Sequence, residues 1–203
     1  MIIKLTNLTT HTTRTVRSLI VLIWLMALAF SVKGQNFSKV TVSAFEPLIN
    51  AKSEWVDFNN DGLLDLFVTG TDNLGAFKNT IFINNGNDTF NVISLDALDD
   101  VAYDFADYND DGFTDIAISG RNSSSVKFTK IYRNNSGSSF TEINFNLTDL
   151  SSGGIIWNDL DNDGDPDLLL TGLDNSDSPA TILYEFDGTD YNVVSTTLPA
   201  LSD

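Results

Sequence analysis

Three nine-residue segments of the chain carry nearly the same acidic signature. Asp57-Phe-Asn-Asn-Asp-Gly-Leu-Leu-Asp65 returns 50 residues later as Asp107-Tyr-Asn-Asp-Asp-Gly-Phe-Thr-Asp115, and 52 residues after that as Asp159-Leu-Asp-Asn-Asp-Gly-Asp-Pro-Asp167. Counted from the first Asp, positions 1, 3 and 5 are Asp57, Asn59 and Asp61, then Asp107, Asn109 and Asp111, then Asp159, Asp161 and Asp163. Position 6 is always glycine, and position 9 is Asp65, Asp115 or Asp167. Alternate side chains of a tight loop can converge on one point, and an amide oxygen can replace a carboxylate. Such a set suits a hard cation like Ca²⁺, which takes six to eight oxygens at about 2.3–2.6 Å. The glycine permits the sharp reversal, and the carbonyl at position 7 (Leu63, Phe113, Asp165) adds a further oxygen.

Other readings of the loops fare worse. An EF-hand needs a bidentate Glu at position 12 between helices, where this chain has Val68, Ile118 and Leu170 in apolar runs. Zinc wants nitrogen and sulfur ligands, yet there is no Cys and His11 is the only histidine. Mg²⁺ prefers to keep its waters. Solvated Asx turns account for the residue types but do not require three or four carboxylates that repel one another without a counter-ion. The spacing therefore predicts up to three calcium ions, one per loop, acting as structural staples.

The segments around each loop also recur. Leu66-Phe-Val-Thr-Gly70, Ile116-Ala-Ile-Ser-Gly120 and Leu168-Leu-Leu-Thr-Gly172 follow the loops, and Thr80–Asn84, Lys130–Asn134 and Thr181–Glu185 come later in each unit. Short β-branched and aromatic runs between Asn, Asp, Gly and Ser clusters read as strands. In the second unit they fall at about Ala102–Asp107, Ile116–Ser119, Thr129–Asn134 and Phe140–Asn144. A unit of this size with four strands has the form of a propeller blade. The expected fold is all-β: about three four-stranded antiparallel β-propeller blades at 45–94, 95–146 and 147–197. An orphan outer strand is expected at 35–44, and residues 198–203 read as the start of a further repeat. Trp55 and Trp157 hold equivalent places and are expected in the core. Phe77, Phe128, Tyr184 and Tyr191 are expected to pack between blades, and Lys78, Lys127, Lys130 and Arg133 to be solvated strand-edge charges.

Composition narrows the function. The chain has 203 residues, 42% of them hydrophobic, with 11 Lys and Arg against 28 Asp and Glu. Four of those bases and no acid lie in residues 1–35, so the remainder holds 7 bases against 28 acids, a net of −21. That charge disfavours nucleic acid and anionic lipid. Arg14 and Arg17 precede the apolar run Leu19–Phe30, too short to span a bilayer and followed by Ser31-Val32-Lys33-Gly34. Residues 1–34 thus read as a secretory signal peptide, giving an exported protein, at the cell surface or secreted, that is not integral to a membrane after processing. Lacking His and Cys in the mature part, the chain cannot build histidine-based triads or thiol nucleophiles, and no enzymatic constellation stands out. Recognition of an extracellular glycan or protein is the expected role. The alternatives are a non-catalytic accessory module of a polysaccharide-degrading enzyme and a propeller-fold lyase or hydrolase. The faces of the end blades would be covered by further repeats of the chain or by another copy.

The pattern Asp-x-Asn/Asp-x-Asp-Gly-x-x-Asp followed by a short apolar strand, three times at about 50 residues, resembles the FG-GAP/VCBS-type repeat of integrin α-subunit propellers and many secreted bacterial proteins. The resemblance covers nearly all of 45–203 and implies a calcium-binding propeller, usually of seven blades, used in adhesion or glycan contact. By this likeness the ligands are Asp57, Asn59, Asp61, Asp65 and their counterparts. No literal Phe-Gly…Gly-Ala-Pro is present; its places hold Trp55-Val-Asp, Phe105-Ala-Asp and Trp157-Asn-Asp.

Overall fold

The computed structural model describes residues 42 and 44–194. Strands β1 (Leu48–Val56), β2 (Asp65–Asp72), β3 (Phe77–Asn84) and β4 (Phe90–Ser94) form one sheet. A second contains β5 (Asp99–Ala106), β6 (Asp115–Arg121), β7 (Lys127–Asn134) and β8 (Phe140–Ile143). The third contains β9 (Ser151–Asn158), β10 (Asp167–Leu173), β11 (Pro179–Phe186) and β12 (Tyr191–Val193). Each sheet is an antiparallel meander with its strands in sequence order, the form of a propeller blade. Among the described residues there is no helix long and apolar enough to cross a membrane. The signal peptide, most of the orphan strand and the start of a further repeat fall outside the described residues.

The first strand of each blade starts earlier than local propensity suggests, because a bulge interrupts it. In the second blade pairing begins at Asp99, three residues ahead of Ala102, and the register shifts between them. Equivalent shifts occur in β1 and between β9 and β10. Asn50, Asp100 and Ser152 take up the extra residue with φ of 51°, 54° and 56°. The bulge brings backbone against the neighbouring strand, which explains the glycine ending each Thr-Gly or Ser-Gly pair. A Cβ on Gly120 would lie 2.8 Å from the Asp99 carbonyl oxygen, and one on Gly172 only 2.5 Å from that of Ser151.

Alternation along the strands gives every blade two apolar faces, and the core consists of two layers between blades. Phe58, Phe67 and Ile81 of the first blade meet Val101, Ile116, Ile118 and Tyr132 of the second. Ala117 and Ile131 of the second meet Ile155, Trp157, Leu168, Leu170 and Tyr184 of the third. In the second and third blades, the aromatic two residues ahead of the loop is the key of the layer. Phe105 lies edge-on to Phe58 and Phe67 at 5.6 Å, and Trp157 stacks on Tyr108 at 6.2 Å. Tyr184 and Tyr191 are buried in the layer between the second and third blades, and Phe128 packs against the layer between the first and second; Phe77 is half-buried.

Two expectations are corrected. Trp55 is not in the core: it is 56% exposed, whereas Trp157 is 7% exposed. The position packs onto a preceding blade, and among the described residues Trp55 has none to meet. Lys127 and Lys130 are not solvated edge charges either. Lys127 is buried and crosses to the third blade, where its Nζ donates to Asp177 Oδ1 at 2.6 Å and to the Asp174 carbonyl. Lys130 is held between Asp96 and Glu142. In so acidic a chain these cations are used to join segments.

Truncation should separate the two tryptophans. Trp157→Ala is expected to cost about 3–5 kcal/mol, as large core truncations do, and Trp55→Ala no more than about 0.5 kcal/mol. Urea denaturation of both variants checks this.

Candidate metal centre

Each acidic loop joins the first two strands of its blade: Asp57–Leu64 between β1 and β2, Asp107–Thr114 between β5 and β6, Asp159–Pro166 between β9 and β10. Position 4 takes left-handed backbone (Asn60, Asp110 and Asn162, φ 57°, 53° and 63°), and so does the glycine at position 6 (Gly62, Gly112 and Gly164, φ 84°, 88° and 104°). Asn and Asp tolerate that conformation and glycine adopts it freely. This chain path folds the loop around its own side chains.

Position 9 anchors the loop from below. Asp65, Asp115 and Asp167 are buried at the start of β2, β6 and β10. One oxygen of each accepts the N–H of position 2: Phe58 at 2.9 Å, Tyr108 at 3.2 Å, Leu160 at 2.9 Å. The other accepts an N–H at the end of the third strand: Asn84 at 2.7 Å, Asn134 at 2.6 Å, Phe186 at 3.1 Å. One carboxylate thus ties the loop's entry to the far end of the hairpin.

Positions 1, 3 and 5 turn their oxygens into the loop. Asp57 accepts the N–H groups of Asp61 and Gly62, and Asn59 Oδ1 also accepts that of Asp61. Asp107 and Asn109 repeat this with Asp111 and Gly112, and Asp159 and Asp161 with Asp163 and Gly164. The position-5 carboxylates of Asp61, Asp111 and Asp163 accept the N–H of position 7, that is Leu63, Phe113 and Asp165. In the third loop, carboxylate oxygens of Asp159, Asp161 and Asp167 lie within 4.8 Å of one another. That fits one shell of radius about 2.4 Å, a Ca–O bond length. In the first two loops Asn59 and Asn109 supply an amide oxygen at the Asp161 position. The donors are all oxygen, so the set fits a hard cation and not a soft one.

The electrostatics agree. Burial pushes the Asp115 carboxyl up to about 6, opposed by its N–H bonds from Asn134 and Tyr108 and reinforced by Asp111 and Asp107. Asp65 is raised for the same reasons, burial first, then Asp61 and Asp57. A buried carboxylate crowded by others is a site that a cation relieves.

The structure also brings in residues that sequence reasoning left out. Asn134 Nδ2 reaches across from the second blade to the Phe58 carbonyl at 2.8 Å while also holding its own loop at the Thr114 carbonyl, 2.9 Å. Asn60 Nδ2 donates to the Gly112 carbonyl at 2.6 Å, joining the tips of loops one and two. The Tyr191 hydroxyl accepts from Trp157 Nε1 at 2.8 Å and donates to the Pro166 carbonyl at 3.1 Å, fixing the third loop to the core. The shared asparagine of Asn84 and Asn134 was the visible signal; its cross-blade use was not.

Four-stranded meanders packed face to face, with an oxygen-lined loop at the same corner of each, define a propeller-type repeat protein. The model of the FG-GAP-like repeat matches residues 57–118 and again 107–170, together more than half of the chain. The chain belongs to the FG-GAP-like repeat family. No curated protein matches the sequence.

Anchor and ligand can be separated by mutation. Asp115→Ala orphans two buried N–H groups, at about 1–3 kcal/mol each, and should destabilise the protein in chelator as well as in calcium. Asp111→Asn, exposed at the loop tip, should be within about 0.5 kcal/mol of wild type in chelator. Urea denaturation in chelator distinguishes them.

Proposed function

We propose that this is an exported, calcium-stapled propeller segment that recognises an extracellular glycan or protein and performs no chemistry of its own. The observation that carries the reading is the triplicate loop: three copies of one oxygen arrangement, each between the first two strands of its blade. Asp57, Asn59, Asp61 and Asp65, then Asp107, Asn109, Asp111 and Asp115, then Asp159, Asp161, Asp163 and Asp167 would hold the ions, with the carbonyls of Leu63, Phe113 and Asp165. Calcium would supply there a counter-charge for crowded carboxylates and a fixed loop shape. The acidic surface and the basic, apolar N-terminal segment support export and argue against a polyanionic partner.

Extracellular modules bind calcium at about 10⁻⁴–10⁻³ M, so 5 mM calcium should stabilise each site by about 1–2 kcal/mol. Three sites would raise the melting temperature by on the order of 10 °C over that in chelator. Superimposable melting curves would contradict the calcium assignment. Glycan-array binding together with a polysaccharide-degradation assay tests the role: calcium-dependent binding without product supports recognition, and depolymerised product overturns it.

A further inference from the structure

The first loop differs from the other two in what presses on it. The β7–β8 turn of the second blade sits directly against Asn59: a Cβ on Gly137 would lie 2.2 Å from the Asn59 Cβ and 2.6 Å from its Cα. Gly137 is buried, has φ 72°, and donates its N–H to Asn134 Oδ1 at 2.7 Å. The same Asn134 donates to the Phe58 carbonyl, immediately ahead of Asn59, and Asn60 in turn donates to the Gly112 carbonyl. Three consecutive residues of the first loop, Phe58, Asn59 and Asn60, are therefore gripped by the second blade. Loop two is not gripped this way by the third blade. Phe186, buried, stands at the Asn134 position, its backbone N–H bonded to Asp167 as that of Asn134 is to Asp115, and its side chain has no N–H to offer. Asp110 stands at the Asn60 position with a carboxylate that cannot donate.

We propose that Asn134, Gly137 and Asn60 are positioning residues for the first cation site, so that cation binding at loop one and seating of the second blade are one coupled equilibrium. The inference rests on the cation reading of the loops. Asn59 is the ligand whose backbone the turn fixes, and its amide oxygen is aimed only while Phe58 and Asn60 are held on either side. Coupling of this kind is reciprocal: if docking of the blade strengthens the ion, the ion strengthens docking by the same factor. Loops two and three would bind independently of it.

The test uses the full chain and terbium(III) as a calcium substitute. Trp55 lies two residues ahead of loop one, so the terbium luminescence it sensitises, taken as the part lost in Trp55→Phe, reports that site alone. Gly137→Ala and Asn60→Gly are compared with Gly86→Ala and Asn162→Gly. Gly86 (φ 74°) has the same backbone strain with no closer neighbour than Leu63 Cδ1 at 3.7 Å. Asn162 (φ 63°) is the loop-three counterpart of Asn60. Partners that orient metal ligands typically change affinity 10–100-fold. Gly137→Ala should therefore weaken the Trp55-sensitised site about tenfold or more, and Asn60→Gly should shift it the same way. The two controls should leave it unmoved. Asn60→Gly carries no steric clash, so it decides the matter should Gly137→Ala fail to fold. Native circular dichroism with unchanged loop-one affinity in Asn60→Gly and in folded Gly137→Ala would overturn the coupling. If wild type binds terbium at loops two and three but not at loop one, the coupling falls while the cation reading stands; if it binds none, both fall.

Discussion

A single buried carboxylate at the ninth position of each loop sets the geometry of its blade. Its two oxygens accept one N–H from the loop's entry and one from the end of the third strand, so three chain segments meet on one side chain. Hydrogen bonds to an ionised acceptor are stronger than neutral ones, and burial of this one makes a missing partner costly. The anchor also leaves the loop no choice of path. Once position 2 and the far strand are fixed, the left-handed residues at positions 4 and 6 fold positions 1, 3 and 5 inward. The oxygen cluster is then a consequence of the anchor, and its charge is what a cation would neutralise.

From this corner the interfaces between blades follow. The residue after the first loop Asp, Phe58 or Tyr108, is buried because the anchor pulls its backbone inward. It presents a ring to the aromatic of the next blade, Phe105 or Trp157. Site and core thus share residues: position 1 belongs to the oxygen shell and position 2 to the apolar layer. A chain without disulfides concentrates its cross-links here, and the scarce lysines supply others elsewhere through Lys127 and Lys130.

Much of this was legible in the sequence because repetition averages out local ambiguity. Three copies of Asp-x-Asn/Asp-x-Asp-Gly-x-x-Asp located the loops, and the apolar pentapeptides after them located β2, β6 and β10. What escaped was whatever depends on contact between segments far apart in the chain. The bulges at Asn50, Asp100 and Ser152 share no side-chain type, and only the glycine facing each betrays them. Lys127 looks like any surface lysine until the third blade's turn is seen above it. Trp55 repeats the pattern of Trp157, but pattern alone does not state whether a neighbour is present to bury it. Gly137 reads as an ordinary turn glycine, and its function in pressing on Asn59, 78 residues earlier, exists only in three dimensions.

The claim on which the rest turns is that these loops close around a divalent ion. Anomalous scattering from crystals grown in calcium chloride measures that directly. The expected result is one peak per loop, each within about 2.3–2.6 Å of oxygens from positions 1, 3, 5 and 9. Loops with no peak and with the carboxylates of Asp57, Asp107 and Asp159 pointing into solvent would contradict it.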